Sequence, residues 1–444
     1  MLSRLFFESP HKNQSLHTGS VTLLAGLQWL GFMFANTIVI PLSVGTSFHN
    51  TPGEISGAMA RSFWLTGLAC LLQAIFGHRL PLMEGQSGLW WGVILGLVSM
   101  GTSAGIPLST VGGSLAVGVM AGGLLVSVFG SLGWHRGLNR LFTPIVMAVL
   151  LFLLSAQLID LFFQGMTGIS QTGKVNLPMA GLALAVVLLV SALTIGPKGL
   201  VSNFAILIGL AVGWAIYELG IGPTVAHVTP TVSEIFRTFT WGRPSLNWGI
   251  ILAAVLTALI NTTNTVATLR AAQDVFGRSV ADGQYRRSLI LTGLYTFISG
   301  PFNLVPYAPY TSSIGFLRTT RLLARAPFMV GALLFTVLGA VPWLAGFFAT
   351  MPISVGDAVL FVAYLQLFGS ALGTLKGMEF SFRGIFRLAL PVLSGLAILA
   401  TPKAAFSSLP GFSQAILSNG MLVGILVSVL LEVAVPWQAL DGRS

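Results

Sequence analysis

Few residues of this chain can do chemistry in apolar surroundings, and they gather at three places. Glu84 is one of two carboxylates set well inside an apolar run, in Pro81–Trp91 (PLMEGQSGLWW). An ionisable group at bilayer depth costs roughly 2.5–3.5 kcal/mol on insertion scales and usually faces a cavity or partner on a substrate or proton pathway. Glu84 is therefore the candidate for proton coupling or for a hydrogen bond to substrate, the alternative being a place nearer the surface beside Arg79. The other carboxylate, Asp357 in MPISVGDAVLF, follows Pro352 closely and reads as a structural or gating group.

The second place is TALINTTNTVATLRAAQ, where Asn261, Thr262, Thr263, Asn264 and Thr265 run in succession. At helical spacing Asn261, Asn264 and Thr265 share one face and offer amide and hydroxyl groups without charge. Bonds that merely glue helices average ~0.6 kcal/mol. A run this polar exceeds that need, so the face is expected to line a cavity.

The third place is 301–325, PFNLVPYAPYTSSIGFLRTTRLLAR. A span that begins this way is tolerated at membrane depth only where protein or water surrounds it. Gly85, Gly88 and Gly92, with Gln86 and Ser87 among them, permit close backbone approach in the first broken segment. Tyr310, Thr311, Ser312, Ser313 and Gly315 do so in the second. Half-helices starting after each break would aim free N–H groups at the midplane, which suits a small planar or weakly anionic ligand rich in carbonyl oxygens. Trp29, Phe32, Trp90, Trp91 and Tyr310 can offer stacking faces, although packing is the ordinary use of each.

The elements that hold these residues are membrane spans. Of 444 residues 54% are hydrophobic and 8% charged, against roughly 25% charged in soluble domains. Apolar runs of about 20 residues divide the chain into about fourteen spans, so the fold class is all-α polytopic membrane protein. Ser312 follows Glu84 by 312 − 84 = 228 residues, and Asn264-Thr265 follows Asn36-Thr37 by the same 228. A 7+7 inverted repeat is expected, with discontinuous spans 3 and 10 and a site near the midplane.

Charge sets the topology. With the tail inside, only Arg61, Lys174, Arg237, Arg243 and Lys403 fall in outside loops, leaving 22 − 5 = 17 basic residues inside. That asymmetry puts both termini in the cytoplasm. The net charge of +10 is thus spread over short loops and does not mark nucleic-acid binding. Met1–Ser20 lacks the apolar centre of a cleavable signal. Cys70 is the only cysteine, so no disulfide forms within the chain, and the six histidines fall in tails, loops or span ends. No metal, haem or other cofactor is expected.

These residues resemble the nucleobase-ascorbate transporter family, also called the xanthine/uracil permeases, over most of the chain. The family signature of the tenth span is met at Gly315, Thr320 and Arg321 and departed from at Ser312 and Ser313. GLQWLGFMFANTIVIPLSVG resembles the first span, with Trp29 in place of a His; PLMEGQSGLW resembles the third, WGRPSLNWGIILAAVL the lead into the eighth, and MPISVGDAVLFVAYLQLFG the twelfth.

The resemblance implies a core domain of spans 1–4 (19–129) and 8–11 (246–347), moving against a gate domain of spans 5–7 (138–217) and 12–14 (351–436), after a cytoplasmic tail at 1–18. It implies uptake of a purine such as xanthine, urate or hypoxanthine, or of uracil, through the cytoplasmic (inner) membrane, usually with protons. A homodimer is left open. By position the substrate contacts would be Asn36, Gln86, Ser87, Gly88, Asn261, Tyr310, Thr311 and Ser312. The acidic residues that many members place in spans eight and ten correspond to Asn261 and Ser312, which puts the usual base clamp and proton relay in doubt. The alternatives are an anion carrier of the sulfate or bicarbonate type, which a soluble regulatory domain after the spans would favour, and a membrane-embedded enzyme, which would need His, Cys or paired carboxylates within the spans. The sequence offers neither, so no enzymatic activity is expected.

Overall fold

A chain in lipid must satisfy its backbone groups internally, which confines lipid-facing segments to helix. The computed structural model describes residues 19–437 except 104, 135–136, 138–142, 170–172, 197–199, 223–226 and 410. The expected tail, with Arg4 and Lys12, lies outside the described residues, as do Arg136, Arg140, Lys198 and Arg443.

The first half comprises α1 (Gly19–Thr37), α2 (Val39–Ser47), α3 (Pro52–Ile75), β1 (Glu84–Gln86), α4 (Gly88–Ser103), α5 (Leu108–Leu132), α6 (Pro144–Thr167), α7 (Leu177–Ile195), α8 (Leu200–Asn203) and α9 (Ala205–Gly220). After a short α10 (Val232–Ile235) come α11 (Trp248–Phe276), α12 (Asp282–Phe302), β2 (Tyr307–Pro309), α13 (Ser312–Thr320), α14 (Arg325–Gly339) and α15 (Pro342–Ala349). The chain continues through α16 (Ile353–Thr374), α17 (Phe382–Ala400), a 3₁₀ turn (Lys403–Phe406), α18 (Gly411–Leu417) and α19 (Gly420–Ala434).

Among the described residues seven helices are long and apolar enough to cross a membrane, and α14 with α15, bent by 86°, makes an eighth crossing if counted as one. Shorter apolar helices, among them α4, α9 and α19, lie where further crossings were expected, so length and composition give fewer crossings than the fourteen read from sequence. Polar caps start the helices: Thr51 and Glu54 form a capping box that brackets Pro52 at the start of α3, and the Asn247 side chain accepts from Ile250 N–H on α11.

The early start of α3 corrects one reading. Arg61, assigned to an outside loop, lies within α3 at 2% exposure. Its Nη1 donates to the carbonyls of Glu234 (2.6 Å) and Ile235 (3.0 Å), pinning α10. An apolar-run segmentation misses the capped first turns because their residues are polar.

The helices pack in two groups. In one, α5 lies against α11 and α12, while α14 lies against α1 and α3. Gly67 makes the α3–α14 approach feasible, since a Cβ there would sit 2.5 Å from the Ala332 carbonyl. In the other group α6 packs on α16, α17 and α19, and α7 on α9 and α16. α4 touches both groups, through α5 and α6. Trp29 is spent on packing: it is fully buried among Phe32, Phe316 and Phe328.

Candidate functional site

The two broken segments meet. β1 pairs antiparallel with β2 in the register Glu84 to Pro309, Gly85 to Ala308 and Gln86 to Tyr307. Ser87 N–H donates to the Pro306 carbonyl and Tyr310 N–H to the Met83 carbonyl, each at 2.8 Å, extending the ladder at both ends. Neither strand could satisfy its backbone alone in an apolar interior. Each strand runs directly into a helix, α4 from Gly88 and α13 from Ser312, so the free N–H groups of two helix starts gather at the strand pair.

α11 holds this pair from one side. Asn261 Nδ2 donates to the Tyr307 carbonyl at 2.8 Å, and Asn261 Oδ1 accepts from the Ser87 hydroxyl (2.7 Å) and from Asn264 Nδ2 (3.0 Å). One α-helical turn beyond Asn264, the Thr268 hydroxyl lies 3.2 Å from the Pro309 carbonyl and 2.8 Å from the Thr311 hydroxyl. Thr265 is fully buried and its hydroxyl has no hydrogen-bond partner.

Strand alternation sorts the remaining candidates. Glu84 and Gln86 point toward α3 and α12: Glu84 Oε1 accepts from the Thr292 hydroxyl at 2.7 Å, and Gln86 Nε2 donates to the Ser62 hydroxyl at 3.1 Å. Cys70 Sγ sits 3.3 Å from both the N–H and the carbonyl of Glu84, binding the strand to α3. Glu84 Oε2 and Gln86 Oε1 are buried without partners. The Ser313 hydroxyl accepts from Met83 N–H at 3.1 Å, a structural bond. The signature residues Thr320 and Arg321 finish α13: Thr320 bonds back to the Phe316 carbonyl at 2.8 Å and Arg321 adopts φ 58°.

The opposite face of the strands meets the second helix group. The Tyr310 hydroxyl donates to the Gln86 and Asn36 carbonyls, and Tyr364 of α16 stands beside it. A Cβ at Gly88 would lie 3.4 Å from both the Tyr364 ring and Leu158 of α6. Gly88, Asn264, Thr311, Ser312 and Tyr364 are half-buried, whereas Ser87, Asn261 and Tyr310 are buried behind them. These half-buried groups make an uncharged surface of amide, hydroxyl and helix-start N–H groups, with Tyr364 beside Gly88. A cleft of about 810 Å³ lies on the side of α1 away from Asn36, lined by Phe34, Ile38, Trp214, Phe347, His227 and Glu218 among others.

Sequence reasoning missed Thr268 and Tyr364. Thr268 follows Asn261 and Asn264 by seven and four residues and could have been found on the same helical face. Tyr364 carries no local signal, because only the packing of α16 brings it over β1.

Two broken spans joined as a strand pair at the boundary of two helix groups define a core-and-gate membrane transporter. The solved structures agree. The transmembrane domain of a cyanobacterial bicarbonate transporter, BicA, matches with a TM-score of 0.58 at 13% identity, over 93% of this chain and 97% of that one. The murine Solute Carrier 26 family member A9 anion transporter matches with a TM-score of 0.59 at 11% identity, over 96% of this chain and 70% of that one.

Sequence then fixes the family. The profile of the xanthine/uracil permeases, described as "Permease family", matches residues 20–404, and the chain belongs to that family. It is 28% identical over 430 residues to a Bacillus subtilis protein named as a purine permease, YwdJ, covering 94% of this chain and 96% of that one. The xanthine permease of Bacillus subtilis is 25% identical (93% of each chain), and the uric acid transporter UacT of Escherichia coli 25% (93% of this chain, 85% of that one). The chain is an integral membrane permease and not an enzyme.

Proposed function

We propose that this permease carries a nucleobase across the cytoplasmic membrane by alternating access. A purine such as xanthine, urate or hypoxanthine is the first expectation, and uracil the second. The observation that carries the reading is the strand pair clasped by Asn261: two helix starts and an uncharged polar surface converge beside Gly88, at the boundary with Tyr364 and Leu158 of the second helix group. Such a wall suits carbonyl-rich planar rings, whose edges both accept and donate. The names of the permease relatives point the same way.

In this reading the core domain is 19–129 with 246–347 and the gate domain 138–217 with 351–436, and both termini are cytoplasmic. Asn264, Thr311, Ser312 and Gly88 meet the base, Ser87, Asn261, Tyr310 and Asn36 hold the wall behind them, and Thr265 lines its apolar edge. Gln86 and Ser313 brace the strands. Glu84, in the core, is the proposed proton-coupling group there. Assembly is as a homodimer, which mass measurement in detergent tests.

Right-side-out vesicles carrying the protein should accumulate at least one of labelled xanthine, urate, hypoxanthine or uracil, and competition among unlabelled bases would rank them. Uptake of none of these, with uptake of bicarbonate or sulfate instead, would replace the reading with an anion carrier.

A further inference from the structure

One face of α9 looks into the cleft of about 810 Å³. Leu207, Leu210, Ala211, Trp214, Ala215 and Glu218 recur at three- and four-residue spacing and line it as a single helical stripe. Across from them stand Phe34 and Ile38 of α1 and Phe347 of α15. The cleft therefore separates the two helix groups, with α9 of one on its first side and α1 and α15 of the other opposite.

Its two ends differ. At one end Leu207 meets α1, where residue 31 is glycine and a Cβ would lie 2.5 Å from the Leu207 side chain. At the other, near the close of α9, is the Glu218 carboxylate, which accepts from Trp214 Nε1 at 3.3 Å and has room for further donors. His227 also lines the cleft, its Nε2 3.2 Å from the Trp343 carbonyl. Among the described residues that line it there is no lysine or arginine. Between the ends the α9 face is alkyl and aromatic.

Leu207 and Glu218 are 218 − 207 = 11 residues apart, about 16.5 Å along the helix at 1.5 Å per residue. That is close to half of the roughly 30 Å hydrocarbon thickness, the depth of one leaflet. Exposed apolar side chains flank the cleft, Val212, Ile216 and Leu219 on α9 and Trp343 on α15, so it is continuous with the lipid-facing surface.

We propose that the cleft binds an acyl chain of a phospholipid whose ammonium headgroup rests at Glu218. The tail covers the apolar stripe over one leaflet's depth, and the headgroup brings a cation to the end that has a carboxylate and no cation of its own. A primary ammonium, as in phosphatidylethanolamine, donates hydrogen bonds to that carboxylate, which a trimethylated one cannot. In the topology proposed above the site faces the outer leaflet. A tail held there stands between core and gate, apart from the strand pair and whichever base is carried.

The test offers delipidated protein equal amounts of dioleoyl-phosphatidylethanolamine and dioleoyl-phosphatidylcholine and reads the lipid that stays bound by native mass spectrometry. Wild type should keep one phospholipid, with the ethanolamine form favoured about two- to five-fold, the reach of an ion pair at a partly exposed site. Glu218→Gln should keep a phospholipid and lose the preference. Ala211→Trp should fill the cleft and lose the retained lipid. Ala211 is exposed, so the indole displaces no packed core, and Ala215→Trp, equally exposed, replaces it should the first variant fail to fold. A wild type that retains no lipid, wild-type retention in the tryptophan variant, or an unchanged preference in Glu218→Gln would overturn the proposal. So would a wild-type preference for dioleoyl-phosphatidylglycerol offered in the same way. None of these readouts uses transport, so the lipid site and the nucleobase reading stand or fall separately.

Discussion

Asn261 joins both strands of the site through a single amide, donating from Nδ2 to the Tyr307 carbonyl at 2.8 Å and accepting at Oδ1 from the Ser87 hydroxyl at 2.7 Å. An amide suits this place because one group must both donate and accept. An ionised aspartate at 261 could still accept from Ser87, but it has no hydrogen to give the Tyr307 carbonyl and would set an oxygen against it. The amide is required once the second strand presents its carbonyl to α11.

Asn261→Ala therefore leaves a buried hydroxyl and a buried carbonyl unmatched. Losing partners in this way costs about 1–3 kcal/mol. Purified protein should show a lower thermal midpoint, and uptake should fall through loosened β1–β2 geometry. Asn261→Asp should not restore either property. An aspartate variant as stable and active as wild type would show that the Tyr307 bond is dispensable.

Glycines set the approach of α3 to α14. A Cβ at Gly67 would lie 2.5 Å from the Ala332 carbonyl, and one at Gly339 would lie 2.7 Å from the Ala60 carbonyl. Both obstacles are backbone, so neither can swing aside, and overpacking of this kind costs about 1–3 kcal/mol. Gly67→Ala and Gly339→Ala should each lower the thermal midpoint. The double variant should lose less than the sum, because one displacement of α14 relieves both contacts. Strict additivity would mean the two contacts yield independently.

Much of this was legible before any coordinates. Apolar length marked the spans, the 228-residue offset between Glu84 and Ser312 marked the paired breaks, and helical spacing put Asn261 and Asn264 together. What stayed hidden was tertiary. Nothing local says that 84–86 and 307–309 hydrogen-bond as strands, since each is three residues long and lacks a turn between them. The direction of Glu84 was equally hidden, because strand alternation sends it to Thr292 only once the strand exists. Trp29 was offered as a stacking face, yet it is consumed by three neighbouring rings, a distinction that composition cannot make.

The connection before α11 should be sensitive to acid. Hydrogen bonds from the Thr231 backbone N–H and hydroxyl, with Arg237 nearby, hold the Glu234 carboxyl below the usual carboxylate range. A depressed value means that the stabilisation is present above the unfolded value and is lost as pH falls through the folded one. Acidification should loosen α10 and, with it, the carbonyls that Arg61 grips. Amide hydrogen exchange at 231–236 should rise at low pH in wild type after correction for the intrinsic rate. In Glu234→Gln it should be raised at neutral pH and change little with acid. Equal pH responses in the two proteins would remove Glu234 from the mechanism.

Glu84 divides two roles that one substitution can separate. Its Oε1 takes a bond from Thr292 at 2.7 Å while Oε2 is buried without a partner, and its backbone is held by Cys70. Glu84→Gln keeps the side chain's shape and an acceptor for Thr292, so the protein should fold and β1 should keep its register. A proton held at Glu84 lies behind the strand that meets the base, and its effect should enter through binding. The KM of base uptake should therefore lose its pH dependence in Glu84→Gln, while the maximal rate at saturating base changes little. A variant whose KM follows pH as the wild type's does would leave Glu84 as a brace between β1 and α12.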